Sequence, residues 1–112
     1  MDEFEELAQI IKALSDPTRL KMLKLLGNTD ENLSDDCNKL SGGVRYLCVN
    51  ALTNHLDVSQ SAVSQHLRIL RQAGLVRSER RGNFIHYALD FEGIEKYKSV
   101  LANTLGDVFV NN

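Results

Sequence analysis

Cysteine is scarce in this 112-residue chain, which has only Cys37 and Cys48. Two cysteines cannot staple a small fold, so a disulfide scaffold is excluded. In a reducing compartment the thiols are left for packing, metal binding or redox chemistry. Long apolar runs are missing as well. None approaches the roughly 20 residues that a membrane-spanning helix needs. The first ten residues, MDEFEELAQI, are acidic, whereas a secretory signal starts with positive charge. A cytoplasmic protein with no membrane partner is therefore expected. The chain has no internal repeat and no low-complexity segment. It also lacks a nucleophile with a paired base, a phosphate loop or a recognisable acid pair, so nothing in it points to an enzyme.

What is present is globular in composition, 43% hydrophobic and 25% charged. The length suits a single domain over residues 1–112 with one core. The formal net charge of −2 hides an asymmetry. Residues 1–36 carry nine acids against four bases, and the tail from Asp90 carries four acids against two lysines. Between them, residues 59–89 carry five arginines and one acid, Glu79. A local basic block in an acidic chain speaks for an anionic partner more than the global charge does.

Apolar spacing predicts a helix over 3–14 through Phe4, Leu7, Ile10, Ile11 and Leu14. Ser15-Asp16-Pro17 resets the chain, with Ser or Asp as a cap and Pro17 in the first turn of a second helix ending near Leu26. Residues 28–44, polar, acidic and punctuated by glycine, read as a long loop. Residues 45–56, RYLCVNALTNHL, read as a short helix. Ser59 is the expected N-cap of the next helix, which Gly74 ends. Then the period changes to alternation in LVRSE and NFIHYAL, a β-hairpin over 75–89 with Arg80-Arg81-Gly82-Asn83 at its tip. Phe91, Ile94, Tyr97, Val100, Leu101, Leu105 and Val108 mark a last helix over 91–109. The fold class is mainly α with a small β-hairpin, in the order α-α-α-α-β-β-α. Residues 45–73 form a helix-turn-helix and the hairpin is its wing.

The helix from Gln60 carries the functional signal. At about 100° per residue, Gln60, Ser61, Ser64, Gln65, Arg68, Arg71 and Gln72 fall within an arc of about 140°. That arc has donors, neutral acceptors and positive charge, but no acid to repel phosphate. Such side chains read base edges in the major groove. Gln60, Ser61, Ser64 and Gln65 are assigned to bases and Arg68 to base or phosphate. Arg80 and Arg81 of the wing, with help from Arg77, are assigned to phosphate or minor groove. His66 falls in the apolar arc and reads as a partly buried link to the core. His86 reads as structural, and His55 as exposed or capping. Asp16, Thr18 and Arg19 read as a helix start with an internal ion pair, with a secondary phosphate contact from Thr18 or Arg19 as the alternative.

Three segments carry a resemblance: ALSDPTRLKMLKLL (13–26), LDVSQSAVSQHLRILRQAGLV (56–76) and RRGNFIHYAL (80–89). Together they resemble the ArsR/SmtB family of winged-helix repressors. The resemblance implies a homodimer on a pseudo-palindromic operator in double-stranded DNA, released when an inducer binds. It also implies that helices 3–14 and 91–109 form the dimer interface.

The family's sensing sites transfer incompletely. Where members carry a Cys-x-Cys pair before the recognition helix, Cys48 matches the first cysteine and Asn50 stands at the second. A thiophilic metal or metalloid ion needs two or three thiolates, so Cys37 would have to supply another sulfur. A zinc site on the last helix lacks its histidines, since none follows His86. A Cys37–Cys48 disulfide would need Cα atoms within about 7 Å. Cys48 among Leu47, Val49 and Leu52 reads equally well as packing. Cys37 and Cys48 are the inducer-sensing candidates, for a thiophilic ion or an oxidant, and no metal site is assigned. The competing readings are a winged-helix dimer that regulates without a metal or thiol inducer, and a protein-interaction module.

Overall fold

The computed structural model describes residues 1–30 and 38–109. Cys37 and most of the acidic stretch before it lie outside the described residues.

Two helices open the chain. α1 (Glu3–Leu14) starts at Asp2, whose carboxylate accepts the Glu5 N–H at 2.8 Å. Acids in its first turn and Lys12 in its last suit the helix dipole. α2 (Pro17–Leu26) has Pro17 in its first turn and Asp16 as N-cap, which decides between the two capping candidates.

The next segment corrects the expected loop 28–44 and helix 45–56. Residues 38–48 form a hairpin, β1 (Asn38–Ser41) and β2 (Val44–Cys48). Gly42 and Gly43 turn it with φ of +59° and +75°. Positive φ at both central residues is the two-residue turn that matches strand twist, and glycine adopts it without a Cβ penalty. The helix shrinks to α3 (Val49–Asn54). Then come α4 (Gln60–Gln72), β3 (Val76–Arg81), β4 (Phe84–Leu89) and α5 (Phe91–Phe109).

The wing is therefore part of a larger sheet. The four strands run β1-β2-β4-β3, and every neighbouring pair is antiparallel. Leu47 pairs with Tyr87 and Cys48 with His86, so β2 fastens the wing to the body. The core gathers Met22, Leu26, Leu47, Leu52, Val63, Leu67, Leu70 and Val76. Each such side chain, fully buried, contributes roughly 1.5–3 kcal/mol. α5 buries no residue completely. It docks through Ile94 and Tyr97, and Lys96 pairs with Glu6 of α1 at 2.9 Å.

Candidate nucleic-acid interface

α4 is built as its sequence pattern predicts. Ser59 caps it, accepting the Ala62 N–H at 3.2 Å. Val63, Leu67 and Leu70 are buried. Gln60, Ser61, Ser64, Gln65, Arg68, Arg71 and Gln72 are all exposed. The acid-free arc is thus a real outer face, held rigid by the core beneath it.

Local bonds already orient parts of that face. Gln60 Nε2 donates to Asn50 Oδ1 on α3 at 2.8 Å, and Arg68 Nη2 donates to Gln65 Oε1 at 2.5 Å. Gln60 keeps its carbonyl oxygen and one N–H for a base edge, whereas Gln65 presents its amide donors.

His66 is half-buried and joins α4 to the other helices, as expected. Arg19 Nη1 meets its Nδ1 at 3.0 Å. A guanidinium only donates, so Nδ1 accepts and the ring's proton sits on Nε2. Arg19 also donates to the carbonyls of Ala13 (2.5 Å) and Lys12 (3.3 Å) at the end of α1. Its guanidinium therefore braces α1 against α4, and no Asp16–Arg19 ion pair is seen among the described residues. Asp16 instead accepts the backbone N–H groups of Thr18 (2.8 Å) and Arg19 (3.2 Å). Desolvation pushes its carboxyl up, but those two bonds and the positive charge of Arg19 outweigh it. The Asp16 pKa ends below the ordinary carboxylate value.

The wing divides its arginines. Side chains alternate along β3, so Arg77, Glu79 and Arg81 share one side and Ser78 and Arg80 the other. Arg80 is exposed, and its side chain makes no hydrogen bond or ion pair among the described residues. Its side of the strand meets α4, where Arg71 Nη1 reaches Ser78 Oγ at 3.5 Å. Arg77 and Arg81 gather instead at Tyr46 of β2. Arg77 Nη2 donates to the Tyr46 hydroxyl at 2.7 Å. The Arg81 guanidinium carbon lies 4.1 Å from the ring centroid and that of Arg77 5.3 Å. The Tyr46 hydroxyl bond outweighs desolvation and, with Glu79, raises the Arg77 pKa above its ordinary value.

The sequence reading did not single out Tyr46 as a partner of the wing, Asn50 as a partner of Gln60, or Arg45. Arg45 is buried and donates to the Asn28 carbonyl at 2.9 Å, to Asn38 Oδ1 at 2.6 Å and to the Asp30 carbonyl. It fastens the end of the α2 connection to β1.

Cys48 is the last residue of β2, 3% exposed and part of the hydrophobic core. His86 is buried opposite it in the ladder, and His55 is the exposed C-cap of α3. Among the described residues, no group of three His, Cys, Asp or Glu side chains is placed to hold a metal ion.

Comparison with known proteins bears on this geometry. The family model described as "Bacterial regulatory protein, arsR family" matches residues 37–78. An HTH-type transcriptional regulator of Bacillus subtilis, YbzH, is 35% identical over 97 residues, which covers 83% of this chain and 92% of that protein. An arsenical resistance operon repressor of Staphylococcus xylosus is 33% identical, covering 82% of this chain and 73% of its own length. Among solved structures, an ArsR-like transcriptional regulator from Rhodococcus matches with a TM-score of 0.68 at 28% identity. That match covers 93% of this chain and 83% of the other.

Proposed function

The chain belongs to the arsR family of bacterial regulatory proteins, DNA-binding transcriptional regulators. From that premise we propose that it acts as a homodimeric repressor on a pseudo-palindromic operator, in the cytoplasm, where α4 of each protomer enters a major groove. The two recognition helices then read half-sites about 34 Å apart. Gln60, Ser61, Ser64 and Gln65 face the bases. Arg68 lies at the edge between base and phosphate, and Arg80 and Arg81, with help from Arg77, supply wing contacts to phosphate or minor groove. The observation that carries the reading is the outer face of α4: seven exposed polar or basic side chains without one acid. No helix among the described residues is long and apolar enough to cross a membrane.

The test is fluorescence anisotropy on duplex DNA from upstream of the chain's own gene, titrated with salt. Phosphate contacts make log K fall with log salt by about 0.9 for each phosphate neutralised. Gln65→Ala is expected to relax sequence preference by roughly 1–3 kcal/mol at one base pair. Absence of binding to any duplex at low salt would favour the protein-interaction module instead.

Induction by a thiophilic ion or an oxidant is the finer part of the reading. The arsenical resistance repressor among the relatives supports it. The burial of Cys48 in the apolar cluster opposes it, because a buried structural thiol is inert. Release of bound DNA by arsenite, cadmium or a mild oxidant, abolished by Cys48→Ser, would make the thiol a sensor. Unaltered release in that variant would leave Cys48 as a packing residue and place the signal elsewhere.

A further inference from the structure

β2 and β3 are not neighbours. β4 runs between them, so they stand about 10 Å apart, twice the strand spacing. Tyr46 nevertheless reaches the wing arginines of β3. Two features make this possible. Arg77 pairs with Ala88 on the intervening strand, and a methyl group leaves the space above β4 open. Tyrosine and arginine are also long enough to meet across it. Tyr46 is only 7% exposed, so it is a fixed platform rather than a surface side chain.

We propose that Tyr46 is a positioning residue for DNA binding, holding Arg77 and Arg81 ready for phosphate chiefly by stacking. This rests on the DNA-binding reading above and adds to it a residue outside the recognition helix and the wing. The chemistry of the stack carries the argument. A guanidinium stacked on a ring spends its π-face and keeps its in-plane N–H fork free. Arg81 is therefore ordered without losing the donors that a phosphate needs. Long, flexible side chains otherwise lose rotamer freedom on binding, and the ring has already removed it.

Glu79 does not do this work. It reaches Arg77 at 3.6 Å and Arg81 at 3.5 Å, longer than a strong charge-assisted bond, with its side chain 43% exposed. Such a pair is screened by salt. Glu79 lowers the wing's positive field, and Tyr46 sets its geometry.

The experiment is a double-mutant cycle on full-length protein with a duplex lacking the operator, read as affinity and salt slope. Tyr46→Leu is expected to weaken binding about fivefold and flatten the slope by about one in the native wing. In an Arg77→Ala/Arg81→Ala background it is expected to change neither. Tyr46→Phe, which keeps the stack, is expected to stay within about twofold of native. Should Tyr46→Leu melt too low to assay, Tyr46→Met fills the same space without a ring and is read in its place. Native affinity in Tyr46→Leu, or an equal loss in both backgrounds, overturns the assignment while leaving the DNA-binding reading intact. A native chain that binds no duplex at low salt overturns both.

Discussion

Asp16 shows how much one side chain can organise. Its carboxylate closes the first turn of α2 through two backbone N–H groups, and the same turn carries Arg19, which braces α1 and meets His66 on α4. A lost cap therefore reaches the recognition helix through Arg19. The Asp16 pKa is depressed in the fold. Stability from a depressed carboxylate is complete above its unfolded pKa and is lost as pH falls through the folded one. Asp16→Ala is expected to melt below the native chain near neutral pH. The gap should then narrow as pH falls below the ordinary carboxylate range. Thermal melts by circular dichroism across that range decide it. A gap that stays constant into acid would mean that the charge is not what Asp16 contributes.

Among the elements, α4 was the most legible in the sequence, because one face packs on the core and the other meets solvent. Periodicity alone separated Val63, Leu67 and Leu70 from the exposed set. β2 was illegible for the opposite reason. Arg45, Tyr46, Leu47 and Cys48 are all buried. A strand covered on both faces shows no alternation, and a short apolar run cannot be told from a helix by period. The Gly42-Gly43 turn was the usable signal, masked by the polar stretch around it. The Tyr46–Arg77 bond spans 31 positions and β4 lies between its strands, so no local pattern could show it.

The α4–α5 junction makes a prediction of its own. A Cβ at Gly93 would sit 1.7 Å from the Gly74 carbonyl oxygen. Helix propensity favours alanine over glycine by about 1 kcal/mol. Here the clash is with backbone, which cannot rotate away, and overpacking costs roughly 1–3 kcal/mol or more. Gly93→Ala is therefore expected to destabilise, with a lower denaturant midpoint and α5 loosened from the body. Gly106→Ala meets nothing within 4 Å and is the control, expected to be neutral or stabilising. If the two variants behave alike, packing at Gly93 does not constrain how α5 docks.

The whole molecule exposes more than its mass requires. Its accessible surface is 7143 Å², against about 6,200 Å² for a folded monomer of this size. The radius of gyration is 15.0 Å, against about 13 Å for a compact domain. Exposed large apolar side chains occur on α2 (Leu20) and the wing (Phe84, Ile85), and more of them on or beside the two helices that pair through Lys96 and Glu6. Phe4 (65%) and Ile11 (45%) are exposed on α1, and Val108 (65%) and Phe109 (64%) near the end of α5. Phe4 and Ile11 lie seven positions apart, on one stripe beside the buried Leu7 and Ile10. A second copy of the chain would cover that stripe. Ile11→Asp with Phe4→Asp is expected to give a monomer in sedimentation equilibrium, with the helical circular-dichroism signal largely retained. Neither residue is on the α4 face, yet operator affinity should fall by at least about a hundredfold. One protomer then binds one half-site without the effective concentration that the second supplies. Affinity for a single half-site should change little. A double variant that stays dimeric would move the interface away from α1. One that becomes monomeric yet keeps full operator affinity would show that a single wing and a single recognition helix suffice.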